Sequence, residues 1–401
     1  MLRIGRASEP RIGASVIGAV AVLLLAVRFA VAGLRFSGTS AALGDETFTV
    51  AAVEELRRSG DLLYMLHGKQ HHPLAYLVME AFVPPAALVP PPVVGAPAAE
   101  IPASNPILRR CRLVAFAEWL LSIPVLFLIA RQVLPRPWVA VAIFLALPTL
   151  SAFEARPYAL HLLLGLLMVY TGAAVLYARR ALVWLAVPAF VACTTMALYT
   201  FIFSYLYLPV FGLAAIAELR KSRGRALLLG GAVLVAFAAT IPYLRLFFAN
   251  RLPGELEPHP FLEQGNVVEA LVAFVVAVGV LAAGRAVGWR RETAARVAFV
   301  ALGTLLALHA VVYWGFPIAA VGAAAYLGAT SGIWWLIHGA IVIPYVLNPE
   351  GSFDNHVMAS AALVSVPLAF VIQHPKAGRL GTAAAVAIAA LFVMSLLDGV
   401  G

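Results

Sequence analysis

The chain alternates between long apolar runs and short connections that carry most of its charges. A helix needs roughly 20 apolar residues to cross a bilayer, so runs of this length predict membrane spans. The first is Ile12–Leu34, and after a long, less apolar gap the others are Leu113–Ala130, Trp138–Leu150, Tyr158–Ala178, Val183–Ala217, Ala226–Phe247, Val267–Ala286, Val297–Trp314, Phe316–Leu347, Met358–Ile372 and Thr382–Leu397. Val183–Ala217 fits a tight pair, and Phe316–Leu347 fits two short spans or one broken helix. We therefore predict an all-α bundle of about 11 to 13 spans, forming one domain over residues 1–401.

Composition narrows the class of protein. Hydrophobic residues make up 63% of the chain and charged residues 12%, with a mean hydropathy of +0.94, which excludes a soluble globule and a disordered chain. The two cysteines, Cys111 and Cys193, lie alone in separate apolar runs and exclude a disulfide scaffold. A polytopic membrane protein remains.

Charge orients the predicted spans. The net charge of +9 argues for anchoring rather than for nucleic acid, because the cations cluster at the ends of apolar runs. Cytoplasmic connections are rich in Arg and Lys, and this rule places residues 35–112 and 151–157 on the outer face of the cytoplasmic membrane. The first run resembles a secretory signal that could be cut after Ala32, but it is longer than the usual core of ~7–15 residues. We therefore favour an uncleaved anchor.

The outer segment 35–112 holds the first candidate site residues. Val83–Pro106 carries eight prolines, which predicts an irregular linker, since each proline removes a helical hydrogen bond. Before it, Thr47–Arg58 has apolar positions at helical spacing, and Leu74–Phe82 is a second predicted interfacial helix. Asp45 would then be the N-cap of the first helix, with Glu46 in its first turn. Capping alone explains acidic residues at these positions, so catalysis and capping both stay open.

Two further polar patches stand out. Lys69, His71 and His72 follow in the outer segment, where a zinc site is disfavoured because no carboxylate shares the histidine spacing. Glu154, Arg156 and Tyr158 lie at the outer mouth of a predicted span, a position that is also typical of merely interfacial residues.

Three arginines break the charge rule. Arg109, Arg110 and Arg112 fall on the outer side, where the rule gives no reason for them. They either snorkel from a helix end or form a cationic seat for a lipid phosphate.

Taken together, these patches resemble those of the C-type (GT-C) membrane glycosyltransferases. The resemblance covers roughly the first 210 residues and is closest to the branch of protein O-mannosyltransferases, lipid A aminoarabinose transferases and lipopolysaccharide-core transferases. It rests on five stretches. In the outer segment these are an acidic pair after the first span (Asp45-Glu46), a His-Pro-Leu-x-Tyr stretch (His72–Tyr76) and an arginine-led helix entry (Asn105–Arg112). The other two are an Arg-Pro-Tyr-Ala-Leu sequence that opens a span (Arg156–Leu160) and an Ala-Leu-Tyr-Thr stretch (Ala197–Thr200). Phe201 follows the last of these where the family often has histidine.

The resemblance implies transfer of a sugar from a polyprenyl-phosphate donor to a hydroxyl of a glycan, lipid or protein acceptor. A single base implies inversion, but Glu154 leaves a retaining double displacement open. Asp45 is the implied base and Glu46 its main competitor. Arg156, His71 and His72 would face the phosphate or sugar, and Glu154 would orient the acceptor or contact a divalent cation such as Mg²⁺ or Mn²⁺. Membrane lipids are expected partners and nucleic acid is not. A flippase or transporter, and a non-catalytic subunit, stay open as alternatives, and convergence of the three patches on one cavity would favour the transferase.

Overall fold

The described part of the chain is helical. The computed structural model describes residues 44–60, 72–83, 101–102, 104–146, 154–249, 332–347 and 358–373, with scattered helical positions between 18 and 31. Within these ranges there is no strand. The α-helices are α1 (Gly44–Ser59), α2 (Pro73–Ala81), α3 (Pro106–Ala130), α4 (Trp138–Ala146), α5 (Tyr158–Tyr177), α6 (Arg180–Thr200), α7 (Leu208–Glu218), α8 (Arg223–Ala239), α9 (Ile241–Ala249), α10 (Ile333–Leu347) and α11 (Met358–Gln373), and a 3₁₀ helix covers Ile202–Tyr207.

Several helices could cross a membrane. By length and composition α3, α5 and α6 each qualify, and α8 with α9 would be a fourth span if this pair, bent by 43°, crosses as one. The all-α class is thereby confirmed for the described residues, and these apolar helices support a membrane protein. The predicted total of spans and the GT-C arrangement stay predictions, because Val267–Ala286, Val297–Trp314 and Thr382–Leu397 lie outside the described residues.

Local chemistry sets two helix starts that hydropathy placed elsewhere. Helix α3 begins at Pro106 rather than at Leu113, because the Oδ1 atom of Asn105 accepts from the backbone N–H groups of Ile107 (2.8 Å) and Leu108 (3.1 Å). The three arginines that we had assigned to a loop therefore lie on the first turns of a span-length helix. Helix α1 begins at Gly44, so Asp45 lies within its first turn and is not the N-cap as predicted.

The tight pair predicted in the long run Val183–Ala217 is confirmed only in part: the run divides into two helical segments, of which α6 alone qualifies as a span and Ile202–Glu218 is a shorter apolar helix. Helix α6 ends at Thr200, and Phe201 takes an extended conformation (φ −155°, ψ 129°) before the 3₁₀ helix leads into α7. The extended residue reverses the chain without leaving the apolar core, because the Phe201 side chain is only 3% exposed.

Helix α5 is the central helix of the described bundle. Of its apolar window 83% is buried, against 33% for α6, and it packs against α3, α6, α8, α10 and α11. Two glycines permit this packing: a Cβ atom on Gly165 would lie 2.5 Å from the Cβ of Ala359, and one on Gly172 would lie 2.7 Å from the ring of Phe211. The missing side chains at these two positions let α11 and α7 approach α5 closely.

The bundle has two chemically distinct ends. Helices α3 and α5 are parallel, since contacts join the segments at their N-termini, and α6 runs back, so its C-terminus returns to the same end. This end, which holds Glu46, His72, Arg112, Thr200 and residues 154–158, is called the site end below. The opposite end carries the α3–α4, α5–α6 and α7–α8 connections and is called the arginine end. The α3–α4 connection holds Arg131 and Arg136, and the other two connections hold Arg179, Arg180, Arg220, Lys221, Arg223 and Arg225.

Candidate functional site

The structure brings the acidic, histidine and arginine segments together at the site end. Glu46 of α1 contacts both Arg112 of α3 and the backbone at Ala155, and His72 contacts Thr200 at the end of α6. Helices α1 and α2 pack against each other and against α3, with their apolar side chains forming a small core. Segments that are far apart in sequence therefore share one end of the bundle.

Glu46 and Arg112 form a buried two-point ion pair. The Nε atom of Arg112 donates to Oε1 of Glu46 at 2.9 Å, and its Nη2 atom donates to Oε2 at 2.6 Å. The backbone N–H of Ala155 also donates to Oε1, at 2.7 Å. Glu46 is 0% exposed and Arg112 is 4% exposed, so both charges depend on each other for solvation. The pair fastens α1 to α3 and to the turn before α5.

The sequence left snorkelling or a phosphate seat as interpretations of Arg112, and both are wrong for this residue. Its guanidinium is directed at Glu46 instead of at solvent or the headgroup level. Arg109 and Arg110 precede Arg112 by three and two residues on α3. Both are exposed and have no ion-pair partner within the part of the chain that the structure describes. The two outward-facing arginines can still receive an anion.

Arg156 is held by its two neighbours in the turn before α5. Its Nε atom lies 3.3 Å from Oε2 of Glu154, and both side chains are largely buried, at 14% and 15% exposed. The Cζ atom lies 5.4 Å from the centre of the Tyr158 ring, with Nη1 3.5 Å from the phenol oxygen. The carboxylate and the ring face orient the guanidinium together.

His72 links the outer helix α2 to the end of α6. Its Nδ1 atom lies 3.1 Å from the carbonyl oxygen of Thr200, which can only accept, so Nδ1 carries the proton of this hydrogen bond. The bond satisfies a carbonyl of the last helical turn, a position that favours a histidine. His72 is also the N-cap residue of α2, where its side chain makes no cap hydrogen bond, and Pro73 is the first residue of that helix.

Phe201 is the centre of a ring cluster at this end. Its ring lies 4.9 Å from that of His72, 5.7 Å from that of Tyr158 and 5.0 Å from that of His161, measured between centroids. The sequence treated Phe201 as the loss of a polar contact. In the structure its ring packs against side chains from both neighbouring patches, a role that hydropathy did not indicate because Phe201 lies within an unbroken apolar run.

Three predicted site residues cannot be placed in full. Lys69 and His71 lie outside the described residues, and Asp45 is described only by its backbone in the first turn of α1. Asp45 is the immediate neighbour of Glu46, so the ion pair that fixes Glu46 also fixes the backbone that carries Asp45.

The divalent cation implied by the resemblance stays a prediction. The described residues contain no group of three His, Cys, Asp or Glu side chains that could hold a metal ion, but the side chain of Asp45 and all of His71 lie outside them. The carboxylates of Glu46 and Glu154 each face a guanidinium, which competes with a metal for the same oxygens.

Comparisons with family models, with curated proteins and with solved structures find no match to this chain.

Proposed function

We propose that the site end is the transfer site of a membrane glycosyltransferase that moves a sugar from a polyprenyl-phosphate donor to an acceptor hydroxyl. The observation that supports this most is the meeting of three separated polar segments through Glu46, His72 and the turn 154–158 at one end of the bundle. A transferase needs a base and cations around one point, whereas the competing functions do not require such convergence.

Asp45 is the proposed base, and Glu46 is a positioning residue. Both Glu46 oxygens already accept charge-assisted or backbone hydrogen bonds, and the side chain is fully buried. A carboxylate so engaged is a poor acceptor for a proton from a substrate. Asp45 comes one residue earlier, on a backbone that the Glu46–Arg112 pair immobilises. It takes the proton of the acceptor hydroxyl as the new glycosidic bond forms.

Cations at the same end stabilise the departing phosphate. Negative charge grows on the leaving oxygen, and guanidinium groups bind phosphate oxygens through paired hydrogen bonds. Arg156, Arg109 and Arg110 are proposed for this role, with His72 and, outside the described residues, Lys69 and His71. Glu154 and Tyr158 hold Arg156 in position. Because Glu154 is already paired, a single base and inversion are favoured over a double displacement.

The site is proposed to face the outer side of the cytoplasmic membrane. The polyprenyl chain would lie among apolar helices, with its phosphate and sugar at the level of α1 and α2. The acceptor is a glycan, a lipid or a protein. The charge rule supports this orientation, since the opposite end collects the arginine-rich connections that are typical of a cytoplasmic face.

The test is turnover of a labelled donor by the full-length protein in nanodiscs. Radiolabelled polyprenyl-phosphate hexoses are offered one at a time with a membrane extract as acceptor, and loss of lipid-linked label is measured. Asp45→Asn is expected to lower the rate by about 10²- to 10⁴-fold, the usual contribution of a general base. Glu118→Gln, an isosteric change in α3 outside the site, is the control that retains turnover. Wild-type rates in Asp45→Asn would contradict the assigned base.

One observation favours a second candidate, a carrier of lipid-linked sugars or ions. Glu118, midway along α3, is 6% exposed, and neither of its carboxyl oxygens has a hydrogen-bond partner within the described structure. Buried carboxyls inside membrane helices often belong to transport pathways. The same two variants separate the functions: in a carrier, Glu118→Gln abolishes uptake into proteoliposomes, and Asp45→Asn does not.

A further inference from the structure

The arginine end carries positive charge that the proposed reaction does not use. The α5–α6 and α7–α8 connections hold five arginines and one lysine, with Glu218 as the single carboxylate between residues 176 and 228. Arg179, Arg180, Arg220 and Arg223 are exposed, and the structure describes no ion-pair partner for any of these four. Four guanidinium groups therefore face solvent at one end of the bundle.

Hydrogen bonds between the two connections hold these charges near one another. The hydroxyl of Tyr177 donates to Oε1 of Glu218 at 3.2 Å, which joins the end of α5 to the end of α7. The Nη1 atom of Arg225 donates to the carbonyl of Leu176 at 2.6 Å and satisfies an acceptor in the last turn of α5. Lys221 lies 3.2 Å from the same Glu218 oxygen. Gathering like charges in this way is unfavourable unless an anion binds between them.

Large apolar side chains lie one helical turn beneath two of the arginines. Trp184 follows Arg180 by four residues on α6 and is 72% exposed, and Leu227 follows Arg223 by four residues on α8 and is 67% exposed. Residues four apart share a helix face. On both helices, then, an exposed cation at the end stands over an exposed apolar side chain.

We propose that the arginine end binds the headgroups of anionic phospholipids. Guanidinium forks match phosphate oxygens, and the apolar side chains below them match acyl chains. Clusters of four or more cations beside membrane helices attract acidic lipids. Trp184 lies on α6, which qualifies as a span, and Leu227 lies on α8, which qualifies together with α9. Acyl chains cover both side chains there, and this places the arginines one turn away at the headgroup level, beside lipid phosphates. The proposal is independent of the transferase reaction.

The test counts lipids that stay bound to the full-length protein in native mass spectrometry. Wild type is offered phosphatidylglycerol and phosphatidylcholine at equal concentration and is expected to retain the former. Arg180→Gln and Arg223→Gln are each expected to weaken retention about fivefold. One cation near an anionic lipid surface contributes about 1 kcal/mol, which corresponds to about a fivefold change in affinity. The quadruple variant is expected to lose the preference for phosphatidylglycerol. It carries Arg179→Gln, Arg180→Gln, Arg220→Gln and Arg223→Gln.

Controls separate the cluster from charge in general. Arg131→Gln removes an exposed arginine at the C-terminus of α3, which lies at the same end of the bundle but outside the two connections that form the cluster, and is expected to keep wild-type retention. If the quadruple variant does not fold, the single variants against Arg131→Gln decide the matter. Equal retention of both lipids by wild type, or unchanged retention in Arg180→Gln and Arg223→Gln, would overturn the proposal. Retention of inorganic phosphate to the same extent as phosphatidylglycerol would also overturn the proposal, because the ligand would then be a soluble anion.

Discussion

The two ends of the bundle use arginine in opposite ways. At the site end, Arg112 and Arg156 are largely buried and each faces a carboxylate, at 2.6 Å for Glu46 and 3.3 Å for Glu154. At the arginine end, four arginines are exposed beside a single carboxylate, Glu218, that is taken up by Tyr177 and Lys221. The first arrangement fixes the geometry of the chain, and the second leaves charge available for a partner.

The difference follows from the surroundings of the charges. A buried guanidinium loses its hydration and must be matched by a carboxylate at short range, so removing either partner is costly. An exposed guanidinium keeps its water, and an ion pair there adds little because solvent and salt screen it. We therefore expect substitution of a buried charge at the site end to lower the free energy of unfolding much more than substitution of an exposed charge at the arginine end.

The largest expected effect comes from breaking the buried pair at the site end. Arg112→Gln leaves Glu46 as a buried charge without its partner, and Glu46→Gln leaves Arg112 in the same state. Each is expected to lower the free energy of unfolding by about 3–5 kcal/mol, measured by denaturant titration in detergent. The double variant is expected to recover part of this loss, because no uncompensated charge remains.

Arg110→Gln is the matched control for that pair. Arg110 lies two residues before Arg112 on the same helix but is exposed, so its substitution is expected to change the free energy of unfolding by less than about 0.5 kcal/mol. If Arg112→Gln were as mild as Arg110→Gln, burial would not be what separates the two ends.

The pairing itself could not be predicted from the sequence, although the helices could. The apolar runs predict most of the ends of α3, α5 and α6 to within a few residues, because the length and hydropathy of a run are local properties of the sequence. Glu46 and Arg112 are 66 residues apart, and nothing in either neighbourhood specifies the other. A step of two residues, from Arg110 to Arg112, decides between solvent and core, and only the packing of α1 on α3 reveals it.

Two other residues show where hydropathy is silent. Glu118 is a single carboxylate inside a run that still predicts a span, so hydropathy gives no sign that it is buried without a hydrogen-bond partner in the described structure. Phe201 keeps the run apolar while its backbone leaves the helix, since an extended residue and a helical one can be equally hydrophobic. Hydropathy fixes where helices lie in the membrane but gives little information on how their ends bend.

A smaller effect distinguishes the helix starts at the two ends. Asn105→Ala removes the side-chain oxygen that accepts from Ile107 and Leu108, and we expect a loss of about 1 kcal/mol in the free energy of unfolding. Ser222, at the start of α8 on the arginine end, makes no side-chain cap hydrogen bond. Ser222→Ala is therefore the control and is expected to be nearly neutral. Equal losses in the two variants would contradict the assigned cap.

The smallest effect is expected at the exposed ion pair of the arginine end. Lys221 is 60% exposed, and its Nζ atom lies 3.2 Å from Oε1 of Glu218. Lys221→Gln is expected to lower the free energy of unfolding by at most about 1 kcal/mol, because an exposed pair gains little over its hydrated ions. The loss should shrink in 0.5 M salt, where the screening length is only about 3–5 Å.

Lys221→Arg supplies the control, since it keeps the charge next to Glu218 and is expected to match wild type at low salt. A salt-independent loss of about 3 kcal/mol in Lys221→Gln, of the size predicted for Arg112→Gln, would mean that this pair behaves as a buried one. Glu218 would then fasten the two connections as firmly as Glu46 fastens α1. The Lys221–Glu218 pair would in that case hold the two connections, and the four exposed arginines on them, in fixed positions. The two ends would then differ only in their exposed arginines that have no carboxylate partner in the described structure.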